Sequence, residues 1–160
     1  MTTDMDMTIR GTVADAIERV RVAHDEFKAS DARRQLAVLE ARASGASWTA
    51  ISDVIGTTKQ GARQRYVGAE EIAKMASMLD ARLKMYAQSQ RRLLAYAEAL
   101  ELAISNDVLT QAQGKAVRAV YELNAEVSAG HLIPWKQADL LADQCIPISA
   151  ALAVATASGD

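Results

Sequence analysis

The chain has a single cysteine, Cys145. No disulfide can form within one copy, which suits a reducing compartment and excludes a small disulfide-stapled scaffold. Proline is nearly as scarce, with only Pro134 and Pro147, so nothing upstream of residue 134 forbids long helices. The two histidines, His24 and His131, offer no pair at ligand spacing. Phosphate-cradling glycine loops and paired cysteines are also missing. The acidic neighbours Asp25-Glu26 and Glu70-Glu71 point to different faces of any helix and read as solvated surface, not as an acid/base pair. No enzyme is expected, and no cofactor or metal site. The start of the chain, Met1 to Met7, is acidic and polar, the wrong chemistry for a signal peptide. The most apolar run, Ile146 to Ala157, contains Pro147 and is too short to span a bilayer. A cytoplasmic protein with no membrane partner is the expectation.

What is present is an apolar half built largely from Ala, Leu, Val, Ile and Met, with aromatics at only 4 %. That composition, without prolines over most of its length, predicts an all-α fold. The net charge of −2 excludes a bulk polycation. The charge is uneven, however. Residues 30–66 hold six basic and three acidic side chains, a local +3, while residues 67–160 hold eight basic and eleven acidic, a local −3.

The positive segment contains the most informative stretch, Ser47 to Tyr66. Ser47 is placed to cap a short helix. Ile51 and Ile55 share one face of it, with Trp48 a turn earlier. Gly56 stands where that helix must stop in a left-handed conformation. Thr57 or Thr58 then caps a second helix, on which Ala62 and Tyr66 point inward. Lys59, Gln60, Arg63 and Gln64 point outward, and these are side-chain types that reach guanine, adenine or phosphate. Two short helices joined this way form a helix-turn-helix, whose second helix enters the DNA major groove.

The wording Ala43-Ser44-Gly45-Ala46-Ser47-Trp48, followed by Ile51, Ile55-Gly56-Thr57-Thr58-Lys59-Gln60 and Arg63-Gln64-Arg65-Tyr66, resembles helix-turn-helix regulators of actinobacteria and their phages. The resemblance covers roughly residues 33–67. It implies a bacterial transcription factor or a phage or prophage repressor. Two positions depart from the usual pattern: Thr57 stands where a buried Val is common, and Gly61 where Ala is common. Gly inside a helix costs about 1 kcal/mol relative to Ala, unless it admits a close neighbour.

Either side of this stretch the pattern is helical. Val13, Ile17, Val20, Ala23 or His24, and Phe27 follow helical spacing from about Thr12, with His24 expected as a packed histidine. Beyond Ser30 the stripe moves to Leu36, Leu39 and Ala43. Either the helix breaks near Ala29-Ser30-Asp31, or one long helix feeds two different contacts. Gly45 ends it. A long helix is expected over about Ala69–Ile104, needing an antiparallel partner, another subunit, or both. A third begins with the capping-box pair Thr110 and Gln113 and closes at Gly130. Pro134 and Pro147 each mark the start of a further short helix.

The expected architecture is therefore an N-terminal three-helix helix-turn-helix unit (residues 1–67), then a long helical hairpin and short C-terminal helices (residues 68–160). The function expected is a sequence-specific DNA-binding transcriptional regulator with a recognition helix at about 58–67. Lys59, Gln60, Arg63 and Gln64 are the base and groove contacts; Thr58, Arg65 and one or more of Arg33, Arg34 and Arg42 are the phosphate contacts. The partners expected are double-stranded DNA and further copies of the chain, a homodimer or higher homo-oligomer through residues 69–157. The C-terminal segment is a candidate surface for a second protein. Two alternatives stand beside this one. The layout, though no motif, resembles the small DNA-recognition subunits of phage packaging machines. A protein–protein adaptor built on a helix-turn-helix is the other.

Overall fold

The computed structural model describes the backbone of residues 3–159 and the side chains of residues 14–159. Six helices follow one another: α1 (Thr3–Ala43), α2 (Trp48–Ile55), α3 (Lys59–Ser89), α4 (Tyr96–Ser105), α5 (Gln111–Ser128) and α6 (Trp135–Ala157). There is no strand among the described residues, so the all-α expectation holds.

The central element is α3, which packs against each of the other five helices. Its first two turns belong to a small cluster of Val38, Ile51 and Tyr66, flanked by Trp48 and Ile55. From Ala69 onward it forms the spine of the main core, with Ile72, Leu79, Leu83 and Tyr86 buried against α4, α5 and α6. The division expected at residues 67 and 68 falls where one cluster gives way to the other, but the backbone there is unbroken helix. The N-terminal end of α3 and its core-forming part are one continuous helix.

Three helix boundaries differ from expectation. The helix predicted over Ala69–Ile104 is two helices. The chain leaves α3 after Ser89, turns through Arg91 at φ 58°, and re-enters as α4 at Tyr96. The stretch Gln88 to Arg92 offers no apolar side chain for the core, and reversal lets Leu100 and Ile104 pack back on α3. Asn106 Nδ2 then donates to the Tyr86 hydroxyl at 2.9 Å, tying the far end of α4 to α3. The long helix thus finds its partners within the chain.

At the C-terminus the two expected helices are one, α6, with Pro147 inside it. Ala138, Leu141, Cys145, Ile148 and Leu152 are its buried positions, a three-four spacing that passes straight through the proline. Burial of that continuous stripe outweighs the one backbone hydrogen bond a proline removes. At 23 residues this helix has the length and apolar character of a membrane span, unlike the shorter run expected. It spends the stripe against the core, while Leu140, Ile146 and Val154 stay exposed. Burial pushes the Cys145 thiol above its ordinary pKa. Cys145 should therefore resist a maleimide at neutral pH in the folded protein and react fully in denaturant; stoichiometric labelling of the native chain would contradict the packing.

The third difference is α1. It starts at Thr3, well before Thr12, and of the two readings open at Ala29-Ser30-Asp31 the unbroken helix is the one found, running to Ala43. Only its last third joins the body. There the Gln35 amide is buried and its Nε2 donates to the carbonyls of Val127 (3.0 Å) and His131 (2.9 Å). Ala32 lies against Gly130, where any side chain would collide. Every described side chain from Ala14 to Ser30 is exposed, His24 included.

Candidate nucleic-acid interface

Local chemistry builds the α2–turn–α3 segment. The Ser47 hydroxyl accepts from the Ala50 N–H at 3.1 Å and caps α2. Gly56 closes that helix at φ 71°, its N–H donating to the Ser52 carbonyl. Thr58, rather than Thr57, caps α3, its hydroxyl accepting from the Gly61 N–H at 3.0 Å. Thr57 is exposed, so the usual buried valine has no pocket to fill here. Gly61 is explained by the same cap. A Cβ there would sit 2.9 Å from the Thr57 hydroxyl and 3.1 Å from that of Thr58, so the missing side chain leaves room for both.

Ala62 and Tyr66 are buried to 1 % exposure and hold α3 on α1 and α2. Lys59, Gln60, Arg63 and Gln64 are all exposed on the opposite side, together on the first two turns of the helix. This is the grouping expected from the sequence.

The flanking arginines divide. Arg33 is exposed. Arg65 reaches back to α1, with its guanidinium 3.0 Å from both carboxylate oxygens of Asp31, and lies over the Tyr66 ring at 5.6 Å. Arg34 binds the same carboxylate at 2.5 Å. The Arg34 hydrogen bond, with the Arg65 charge behind it, holds the Asp31 carboxyl below the usual carboxylate range. The stabilisation from this clamp is present above the ordinary carboxylate pKa and is lost as pH falls through the lowered value. Arg34 and Arg65 remain partly exposed at the edge of the face, held in place by Asp31.

Arg42 is placed differently from expectation. Its guanidinium donates to Glu70 at 3.2 Å and to the Ala46 carbonyl at 2.6 Å, and it stacks over Trp48 at 4.7 Å. It is a strut joining α1, α2 and α3 rather than an outward cation. Glu70 is 6 % exposed and keeps only Lys74, at 3.0 Å, if Arg42 is removed. Arg42→Ala should therefore cost about 2 kcal/mol of stability, less than for a lone buried pair because Lys74 remains. The loss should show as a lowered Tm with helix content kept; a Tm equal to the parent's would mean that Arg42 is no strut.

One neighbour of the face was invisible in the sequence. The start of α6 stands beside the start of α3. Between them lies a cleft of about 550 Å³, walled by Gln60, Arg63 and Gln64 on one side and by Trp135, Asp139 and Ala142 on the other. Its floor is Gly68, where α3 and the chain entering α6 come together. The Trp135 ring on that wall also has the Lys136 ammonium 5.9 Å from its centre. Some seventy residues separate these parts in the chain, and no local pattern announces their meeting. On the other side of the unit, Val38, Ala41, Ala50, Ile51, Val54 and Ile55 line an apolar groove of about 380 Å³.

Among the described residues, no three His, Cys, Asp or Glu side chains gather closely enough to hold a metal ion. Comparison of the chain with protein-family models, curated proteins and solved structures gives no match.

Proposed function

We propose that this protein is a sequence-specific DNA-binding regulator that works as a homo-oligomer in the cytoplasm, of the bacterial or phage-repressor kind. The observation that carries the reading is the outward group Lys59, Gln60, Arg63 and Gln64 on the first two turns of α3. Four side chains able to reach base edges or phosphates sit at the N-terminal end of a helix whose opposite face is locked into a core. Thr58, Arg33, Arg34 and Arg65 lie at its edges as phosphate contacts, the last two oriented by Asp31. The likeness of residues 33–67 to helix-turn-helix regulators supports the same reading. Arg42, bonded to Glu70 and the Ala46 carbonyl, is read as part of the frame rather than as a phosphate contact.

Selection of bound fragments from random and genomic DNA, at two salt concentrations, tests the proposal. A regulator enriches one motif at both. Binding that weakens steeply with salt and enriches no motif means phosphate contact alone and sinks the claim of specificity. A ring larger than a dimer would favour the packaging-subunit layout, and a stable dimer on a palindromic site would count against it.

A further inference from the structure

Upstream of Asp31, the described side chains of α1 are left uncovered by the rest of the chain. The helix extends from Thr3, and all the described side chains from Ala14 to Ser30 are exposed. That is an arm about 40 Å long at 1.5 Å per residue. A helix alone in water is marginal, and β-branched residues such as Ile17, Val20 and Val22 weaken it further. Of its four large apolar side chains among the described residues, three share one face and Val22 lies off it. Ile17 is 64 %, Val20 69 % and Phe27 61 % exposed, and with His24 they recur at steps of three, four and three. In heptad terms, Ile17 and His24 occupy a, and Val20 and Phe27 occupy d.

We propose that this face is a dimerisation seam, and that its occupant is the same face of a second copy, paired parallel and in register. Three features select that occupant. The polar group at an a position, His24, meets an identical His24 only in a parallel in-register pair; turned round, the copy would set it against an apolar d residue. A single polar a layer is a known means of fixing register. The flanking charges agree. Arg21 and Lys28 fall at e, and Ala16 and Ala23 at g. Parallel pairing sets each cation beside an alanine of the copy, whereas antiparallel pairing brings Arg21 toward its own equivalent. Arg21 is meanwhile turned along its own helix to Glu18 at 2.5 Å and Asp25 at 3.8 Å, away from the seam. Finally, a parallel pair is self-complementary under a two-fold axis and closes after two copies.

This deepens the homo-oligomer part of the proposed function and relocates its surface. The helices from residue 69 onward share one buried core and leave single apolar groups of α6 such as Leu140, Ile146 and Val154 outside, whereas the arm has every described side chain from Ala14 to Ser30 uncovered. In such a dimer both α3 reading ends emerge from the same end of the seam, as two half-sites require.

Sedimentation equilibrium of the full chain without DNA tests the seam separately from DNA binding. The parent is expected to be a dimer. Ile17→Glu with Phe27→Glu is expected to be a monomer whose core unfolds as cooperatively as the parent's. His24→Ile is expected to tighten the dimer at least tenfold. Val20→Cys is expected to crosslink rapidly to its own equivalent under mild oxidation. A parent that stays monomeric at about 100 µM, or a dimer that survives the double Glu substitution, overturns the proposal. Failure of Val20→Cys to crosslink within an intact dimer overturns the parallel register.

Discussion

Changing Arg63 and Gln64 together to alanine is expected to lower affinity for the selected DNA site by roughly 30-fold or more, with helix content and oligomeric state unchanged. Each side chain that pairs with a base edge discriminates by about 1–3 kcal/mol. Two such contacts are together worth about 2–6 kcal/mol, or roughly 30-fold upward at about 1.4 kcal/mol per factor of ten. Both residues are exposed, and alanine is the better helix former, so the variant should fold as well as the parent. The salt dependence should fall by about one phosphate contact at most, because only one cation is lost. Competition binding with the selected site and a scrambled duplex reads both quantities. Equal affinity of variant and parent for the selected site would mean that bases are read by another surface. The α6 wall of the adjoining cleft, with Trp135, would then be the first place to look.

Gly68→Ala should be among the most damaging single-methyl changes in the chain. A Cβ at this position would stand 2.1 Å from the Ile133 carbonyl oxygen and 3.1 Å from the Trp135 N–H nitrogen. Both are backbone atoms, so no side chain can swing aside. The start of α6 must lift off α3, in conflict with the buried Ile133 and Ala138 on either side. Overpacking of this kind costs about 3 kcal/mol. For a chain of this size that corresponds to a fall in Tm of roughly 6–12 °C. Because the same contact forms the cleft floor, the variant should also disturb Arg63 and Gln64 and weaken DNA binding in the fraction that stays folded. A Tm within about 2 °C of the parent would show that the approach of α6 to α3 is looser than described.

Much of the local structure was legible in the sequence because it depends on neighbours in the chain. The Ser47 cap, the Gly56 turn, the inward pair Ala62 and Tyr66, and the outward Lys59, Gln60, Arg63 and Gln64 all lie where residue type and helical period put them. So does the Thr110–Gln113 capping box, with both of its hydrogen bonds formed. The proline at 147 misled because local propensity weighed against continuation, while the stripe Ala138, Leu141, Cys145, Ile148 and Leu152 ran through it all along.

Arg42 and Arg65 show where sequence reasoning ends. Each read as a cation on a basic segment. A carboxylate 28 residues away claims Arg42, and one 34 residues away steadies Arg65. By itself the sequence determined the helical class, the ends of α2 and the start of α3, and which face of that helix is polar, since capping and periodicity act over three or four residues. Only the tertiary structure decided which arginines stay outward, that α6 walls the polar face of α3, that the long hairpin packs on itself, and that the described side chains of α1 from Ala14 to Ser30 are left uncovered. Those outcomes depend on which apolar stripes find each other across long stretches of chain, and no local spacing encodes that choice.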